Sequence, residues 1–244
     1  MNFVDLHKET HWLQILTMFP FLSKLQLSNF LLESVNPSLL YVNFTSLEYL
    51  DLSSNDFFSE LPVRLFNISG LSYLDLRTNC FHGQIPKTLL NLRNLDSLNL
   101  GDNKLSGIIP DWLGQLGGLP NLGLSYNSLT GSIPTTFWNL SSFTVLRVFS
   151  NHLIGTFPEC LGQLSNLEEL IVGGNSLPGV ISKRNFAKLT KLQTLTFGSP
   201  SLVFDFDPNW IPPFKLQGLK LEYVDLKLVP WFYTQTSLIS NVCC

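Results

Sequence analysis

Charge is scarce in this chain of 244 residues: 15 lysines and arginines and 18 aspartates and glutamates make up 14% of it. The formal net charge is −3, whereas 45% of the residues are hydrophobic. A nucleic-acid-binding domain needs a clustered positive charge to neutralise phosphates, and this composition offers none. We therefore predict no nucleic-acid partner.

Cysteine is also scarce. Cys80, Cys160, Cys243 and Cys244 show neither the C-x-x-C spacing of a zinc site nor the dense framework of a small secreted scaffold. We expect Cys80 and Cys160 to be free thiols, whereas the adjacent pair at the end of the chain is left open. No metal and no other cofactor is predicted.

Two kinds of membrane-directing segment are missing as well. The first ten residues, MNFVDLHKET, place Asp5, Lys8 and Glu9 where a signal peptide needs an uninterrupted apolar core. A transmembrane helix needs about 18 or more consecutive apolar residues, and no such run occurs. The chain as given is expected neither to export itself nor to anchor itself in a membrane.

The sequence offers little material for catalysis. Of the four histidines, His7 and His11 lie in the segment HKETH, whose glutamate is in the third position and not in the second as in H-E-x-x-H. His82 and His152 lie far apart in sequence, at variable turn positions. The G-x-G-x-x-G, H-R-D and D-F-G motifs of a kinase are absent. We predict that the chain is not an enzyme.

What the sequence does contain is a repeat. Residues 95–118, LDSLNLGDNKLSGIIPDWLGQLGG, are followed by LPNLGLSYNSLTGSIPTTFWNLSS, which begins the same phrase again. The phrase recurs every 24 or 25 residues, and its starts are Leu22, Leu47, Leu71, Leu95, Leu119, Phe143, Leu167, Leu192 and Leu216. Self-similarity at such a period predicts a solenoid in which each unit packs on its neighbours.

Each repeat start opens an L-x-x-L-x-L segment, which predicts a short strand with leucines directed inward. Eight residues after the start stands a column of asparagines, whose buried amides can donate to and accept from the turning backbone. We predict a structural ladder at Asn55, Asn79, Asn103, Asn127, Asn151 and Asn175, which ends where Phe30, Pro200 and Val224 occupy the column. A G-x-I-P segment and a short helical return then complete each unit.

These features predict one domain over residues 1–244 of the α/β class: a right-handed, horseshoe-shaped solenoid with a parallel β-sheet on its concave face. Residues 1–21 are predicted to be a partial repeat, 22–237 nine repeats of 24 or 25 residues, and 238–244 the truncated start of another.

The L-x-G-x-I-P motif after the asparagine resembles the plant-type extracellular leucine-rich repeat. Residues 175–190, expected to be poor in strands, and the later segment DPNWIPPFKL resemble the late repeats of receptor-like proteins that perceive fungal elicitors. The resemblance implies a fragment of a plasma-membrane protein, on its extracellular side, that binds a protein or peptide ligand and pairs with a co-receptor kinase in defence or development. It would be held in the membrane only through segments absent from this chain.

Two sets of candidate sites follow. Positions two, four, six and seven residues after each start are expected to be exposed on the concave face; among them are Tyr49, Asp51, Asp75, Asn99, Asp102 and Glu169. Aromatic and arginine side chains commonly anchor protein interfaces, which favours a binding patch of Tyr73, Arg77, Tyr126, Arg147 and Phe149. The sequons at Asn43, Asn67 and Asn139 all lie four residues before a repeat start, on the return side, and are predicted to be glycosylated.

Two other functions stay open at this level. Some short proteins of this repeat type inhibit secreted cell-wall-degrading enzymes, although such inhibitors have cysteine-bearing caps that this chain lacks. A non-functional truncated gene product is the other alternative.

Overall fold

The computed structural model describes residues 19–34, 44, 46–116, 118–223 and 230–235. Several sequence-based predictions lie outside the described residues: most of the partial first repeat, the last seven residues, His7, His11, Asn43, Val224, Cys243 and Cys244.

Fifteen short strands are present in the described part of the chain. They are β1 (Lys24–Gln26), β2 (Tyr49–Asp51), β3 (Tyr73–Asp75), β4 (His82–Gly83), β5 (Ser97–Asn99), β6 (Lys104–Ile108), β7 (Asn121–Gly123), β8 (Ser128–Gly131), β9 (Val145–Arg147), β10 (His152–Leu153), β11 (Glu169–Ile171), β12 (Gly179–Ser182), β13 (Thr194–Gly198), β14 (Leu202–Asp205) and β15 (Gly218–Glu222).

The main sheet contains one strand from each predicted repeat. Its nine described strands are all parallel and lie in the order β1-β2-β3-β5-β7-β9-β11-β13-β15. The second residue of each strand is a leucine, and successive leucines such as Leu50 and Leu74 are in register and buried. One leucine column therefore runs through the core, and the predicted solenoid with a parallel sheet is confirmed.

A second set of parallel strands was missed by the sequence analysis. Strands β4, β6, β8 and β10 form a four-stranded sheet, and β12 pairs with β14. All of these strands except β14 lie just before or within the glycine-containing segment of their repeats. Gly107 has a φ of 81°, and a Cβ at this position would lie 3.1 Å from Cγ of Gln84. Glycine is therefore favoured where the chain turns this close to the preceding repeat.

The return of seven of the nine repeats contains a 3₁₀ helix, and no α-helix occurs in the described residues. The described return of the Leu192 repeat consists of turns and bends instead. The 3₁₀ helices span Leu65–Asn67, Lys87–Asn91, Asp111–Gln115, Thr135–Asn139, Glu159–Gln163, Lys183–Phe186 and Pro230–Thr234. Four of them directly follow a proline, whose carbonyl accepts the first hydrogen bond of the turn. Three of these prolines, Pro86, Pro110 and Pro158, are in an extended conformation. A 24-residue repeat leaves room for such a short return only.

The asparagine column bonds the backbone of neighbouring repeats together. Nδ2 of Asn127 donates to the carbonyls of Leu100 and Leu124 at 3.0 and 3.2 Å, and its Oδ1 accepts from the N–H of Leu105 at 2.9 Å. The other five asparagines of the column make equivalent bonds. Each amide thus satisfies donors and acceptors that the turn would otherwise bury unpaired.

An aromatic cluster lies in the core where the asparagine column ends. Its members contact one another with ring centroids 4.9 to 6.5 Å apart: Phe186, Phe206, Trp210, Phe214 and Trp231. The preceding section, expected to be poor in strands, contains β12, so that expectation was wrong. The Val-Ile pair of β12 places Ile181 in the core and Val180 outside, as a strand requires.

Candidate functional site

The candidate site is the face of the main sheet that is opposite to the leucine column. Residues two and four positions after each repeat start project from this face, because side chains alternate along a strand. They form two rows across the nine strands, and the turn residues six and seven positions after each start lie beside them. The chemistry of the face therefore depends on which residues occupy four positions of each repeat.

The structure corrects the exposure expected at the fourth position. Asp51 and Asp75 are only 6% and 1% exposed. Their carboxylates accept hydrogen bonds from the backbone N–H two residues further on, at Ser53 (2.9 Å) and Arg77 (3.0 Å). Asn99 does the same for Gly101, at 3.1 Å. These side chains fix the turn after the strand, which is a role that strand alternation alone does not reveal.

A tyrosine cluster, formed by Lys24, Tyr49, Tyr73, Asp75 and Arg77, lies on β1 to β3 and the turn that follows. The rings of Tyr49 and Tyr73 stack with centroids 4.2 Å apart and planes within 3°. The Lys24 ammonium lies 4.3 Å from the Tyr49 ring centroid. The Tyr73 hydroxyl donates to Oδ2 of Asp75 at 3.2 Å, and Nε of Arg77 lies 3.3 Å from the same oxygen.

Burial shifts both titratable groups at the centre of this cluster. Loss of solvent raises the pKa of Asp75, and the neighbouring Asp51 carboxylate adds to that rise, whereas the N–H and guanidinium of Arg77 oppose it. The pKa of Tyr73 is raised above its ordinary value by burial first and by the Asp75 carboxylate second. Tyr73 therefore remains a neutral phenol that donates to Asp75.

A phenylalanine cluster, formed by Tyr126, Phe149, Lys220 and Glu222, lies towards the other end of the sheet. Tyr126 is 56% exposed and packs edge-on against Phe149 with centroids 5.3 Å apart. The Lys220 ammonium lies 4.9 Å from the Phe149 ring centroid, and it pairs with Glu222 at 2.8 Å.

Glycines allow that cluster to form across several strands. A Cβ on Gly173 would lie 3.3 Å from the Phe149 ring, and one on Gly198 would lie 2.5 Å from Cβ of Glu222. The side chains from β15 can meet the Phe149 ring only because Gly173 and Gly198, which lie between them, carry no side chain. Lys220 and Glu222 were missed by the sequence analysis, although they occupy the same repeat positions as the predicted site residues.

Arg147 is beside this cluster and is already paired. Its guanidinium donates from Nε and Nη2 to the two carboxylate oxygens of Glu169, on the next strand, at 2.6 and 2.5 Å. This bidentate geometry fixes the orientation of the planar guanidinium group of Arg147. Arg147 nevertheless keeps 44% of its side-chain surface in solvent, so it remains available to a ligand.

The structure divides the five predicted patch residues into two groups. Tyr73 and Arg77 belong to the tyrosine cluster, whereas Tyr126, Arg147 and Phe149 lie at or beside the phenylalanine cluster. Three strand steps separate β3 from β9, which corresponds to about 14 Å. At positions two, four and six, the open floor between the clusters carries only short or amide side chains: Ser97, Asn99, Gly101, Asn121, Gly123 and Ser125. At position seven it is bordered by Asp102 and Tyr126, which are both exposed.

The sequons lie away from this face where they can be described. Asn67 ends the 3₁₀ helix Leu65–Asn67, is exposed, and accepts a hydrogen bond from Nδ2 of Asn91 at 3.4 Å. Asn139 ends the corresponding helix three repeats further on, but its side chain lies outside the described residues. Both asparagines are on the return of the solenoid.

Two kinds of feature are absent from the described residues. These residues contain no helix that is long and apolar enough to cross a membrane. Within the same ranges, no group of three or more histidine, cysteine or acidic side chains is arranged to hold a metal ion.

A stack of parallel strands with a varied, solvent-facing sheet surface defines a solenoid binding scaffold. The chain belongs to the leucine-rich-repeat family: the family model of a leucine-rich repeat region matches residues 3–243. No match was found among curated proteins.

Solved structures similar to the chain are ectodomains of plant leucine-rich-repeat receptors. The ectodomain of GASSHO1/SCHENGEN3 from Arabidopsis thaliana, in complex with CASPARIAN STRIP INTEGRITY FACTOR 2, is 25% identical with a TM-score of 0.67, over 83% of this chain and 27% of that one. The PEPR1–AtPEP1 complex is 30% identical with a TM-score of 0.67, over 84% and 29%. The Arabidopsis receptor kinase HAESA, in complex with the peptide hormone IDA and the co-receptor SERK1, is 25% identical with a TM-score of 0.61, over 84% and 43%. The chain thus spans less than half the length of each.

Proposed function

We propose that this chain is the ligand-recognition portion of a plant cell-surface receptor-like protein, and that it binds a peptide or a protein segment on the open floor of its concave sheet. By the resemblance to such receptors, the parent protein is at the plasma membrane with this portion outside. It signals through a co-receptor kinase in defence or development. The observation that carries the proposal is the polar floor flanked by two aromatic clusters.

The composition of the floor supports an extended polypeptide as ligand. Short side chains let a ligand backbone approach the sheet closely, and Nδ2 of Asn99 and the hydroxyl of Ser97 can bond to peptide groups. The rings and the guanidiniums on either side are of the residue types that most often contribute binding energy at interfaces. A peptide extended by about 3.3 Å per residue would cross the 14 Å between the clusters with four or five residues.

The similar structures support the same ligand class. PEPR1 was solved with AtPEP1, and HAESA with a peptide hormone and a co-receptor. Those ligands belong to those receptors, and none is assigned to this chain. What we carry over is the mode: a peptide bound by a repeat ectodomain that also engages a second receptor.

The proposal can be tested with a display library of random 12-residue peptides selected on the intact chain. Selected peptides are synthesised and titrated against Tyr73→Ala, Arg77→Ala, Arg147→Ala and Phe149→Ala. At least one substitution in each cluster should weaken binding about tenfold or more, since aromatic and arginine anchors commonly contribute more than about 1.4 kcal/mol.

Gln84→Ala is the matched control, because Gln84 is exposed and directly follows β4, a strand of the second sheet. It should leave the affinity unchanged. If all four concave substitutions left binding unchanged while Gln84→Ala weakened it, the concave face would not be the binding surface.

We also propose that the three sequons carry glycans in the parent protein. Asn67 is exposed on the return, where a bulky glycan would leave the concave sheet free. Asn43 and Asn139 share its position in the repeat. Glycans on this side would confine ligands and partners to the remaining surfaces.

A further inference from the structure

In one row of the concave sheet, a stack of aromatic rings stops at Tyr73 and leaves one face of that ring uncovered by another ring. Lys24, Tyr49, Tyr73 and Ser97 are in register on the first four strands of the main sheet. Tyr49 has Lys24 on one face and Tyr73 on the other. Tyr73 has Tyr49 on one face, and the next place in the row is Ser97, whose side chain is too short to cover a ring. Among the described residues, no ring other than that of Tyr49 stacks on Tyr73.

The spacing of this row suits another ring. Neighbouring strands lie about 4.8 Å apart, and the two tyrosine rings have already closed to 4.2 Å. A planar ring placed over Ser97 would therefore lie at stacking distance from Tyr73. Asn121 is the next residue of the row. Its amide donates to the Asp96 carbonyl at 3.4 Å and accepts from the Thr144 hydroxyl at 2.9 Å, so it is held in place and limits the space on the far side. Ser97, Tyr73 and Asn121 thus bound a slot, hereafter the Ser97 slot, with the width of one aromatic ring.

The second row supplies a polar group at the corresponding position. The Tyr73 hydroxyl bonds to Asp75, which is two residues further along its strand. On the next strand, Asn99 is two residues after Ser97 and therefore lies beside the Ser97 slot as Asp75 lies beside Tyr73. Oδ1 of Asn99 accepts from the N–H of Gly101, while its Nδ2 has no partner among the described residues. Nδ2 of Asn99 can therefore donate to a hydroxyl group on a ring that occupies the Ser97 slot.

We propose that the Ser97 slot receives a tyrosine side chain of the ligand, whose ring stacks on Tyr73 and whose hydroxyl accepts a hydrogen bond from Nδ2 of Asn99. This rests on the proposed function, because it names a feature of the ligand bound at the same surface. A guanidinium or an ammonium group fits less well, since both groups only donate hydrogen bonds and would offer no acceptor to Nδ2 of Asn99. Phenylalanine would stack but leave the Asn99 amide without its partner.

The slot can be tested without knowledge of the natural ligand, by ¹⁹F NMR on the intact chain labelled with 3-fluorotyrosine. The chain contains six tyrosines, and Tyr73→Phe identifies the resonance of Tyr73. The probe is N-acetyl-L-tyrosinamide, compared with the phenylalanine and alanine analogues. We expect a saturable shift of the Tyr73 resonance with the tyrosine probe. The phenylalanine analogue should bind about fivefold more weakly for want of one hydrogen bond, and the alanine analogue should cause no shift.

Variants at Ser97 supply the controls. Ser97→Tyr places the ring of the protein itself in the slot and should abolish the probe-dependent shift, and Ser97→Leu should do the same by covering the Tyr73 face. Ser97→Ala leaves the slot open and should retain the shift. An absent or non-saturable shift in the unmodified chain, or an equal shift in both blocking variants, would overturn the proposal.

The peptide titrations and the NMR titration together distinguish a failure of the slot proposal from a failure of the proposed function. If selected peptides lost affinity in Tyr73→Ala and Phe149→Ala but tolerated replacement of every tyrosine they contain, concave binding would stand and the slot would be wrong. If the tyrosine probe shifted the Tyr73 resonance while the selected peptides ignored the concave substitutions, the slot would exist without serving that function.

Discussion

Replacing Asn127 with alanine tests the physical role of the asparagine column. Its amide donates to three carbonyls, at 3.0, 3.2 and 3.3 Å, and accepts from the buried N–H of Leu105 at 2.9 Å. A net hydrogen bond contributes about 1 kcal/mol, and a buried N–H left without a partner costs about 1–3 kcal/mol. Asn127→Ala should therefore lower the free energy of unfolding by about 3–5 kcal/mol, and the melting temperature by roughly 10 °C.

The assay is urea unfolding followed by circular dichroism and by tryptophan fluorescence. Two signals are needed because repeat proteins can unfold in parts, and a single free energy applies only where both transitions coincide. Asn94→Ala is the matched control: its amide also bonds to the preceding repeat, at the Ser69 carbonyl (3.1 Å), but it is exposed. That control should cost less than about 0.5 kcal/mol.

Asn127→Asp separates the donor from the acceptor. The carboxylate can still accept from Leu105, but it cannot donate to the three carbonyls, and it carries a charge into a buried position. At neutral pH the aspartate should be more destabilising than the alanine. If Asn127→Ala and Asn94→Ala had the same effect within about 0.5 kcal/mol, the reasoning about the column would be refuted.

Three further predictions concern packing, pH and modification. Gly162→Ala should destabilise the chain by more than about 2 kcal/mol in urea unfolding, because its Cβ would clash with the Arg184 carbonyl oxygen, whereas Gly118→Ala, with nothing within 4 Å, should be nearly neutral. Asp75→Asn should gain stability relative to the unmodified chain as the pH rises from acidic to neutral in thermal melts. Asn67→Gln should remove one glycan, seen by mass spectrometry, from the chain expressed with a signal peptide in plant cells.

The sign of the pH prediction follows from burial of the carboxyl. The pKa of Asp75 in the folded chain is raised from its ordinary 3.8. The folded chain therefore keeps this proton at pH values where the unfolded chain has lost it, and stability from this group falls as the pH rises through the raised pKa. Asparagine keeps the acceptor for the Arg77 N–H without titrating. A stability difference that did not change with pH would contradict this account.

The main sheet was predictable because one period specifies it. A leucine three residues after each start is buried whatever the rest of the repeat contains, so the strand positions follow from spacing alone. The second sheet was not, because strands such as His82–Gly83 have two residues and show no alternation. Here the conformation of Gly107 and contact with the preceding repeat decide the structure, and both are properties of the stacked array.

The candidate site was predicted only as a set of positions. Strand alternation placed Tyr73 and Phe149 on one face, but it did not show that Asp75 is withdrawn to accept from the Arg77 N–H. It also could not show that Lys220 reaches Phe149 across bare glycines, because that contact depends on absent side chains on intervening strands. The division into two clusters and an open floor thus depends on side-chain contacts between strands of the folded chain, which the sequence pattern does not specify.

Hydrogen–deuterium exchange in the presence of a peptide selected on the intact chain tests most directly whether the concave floor is the recognition surface. The account predicts slower exchange in β5, β7 and β9, which flank and form the floor, and unchanged exchange in the second sheet. Slower exchange confined to β6, β8 and β10, with the floor strands unchanged, would contradict it.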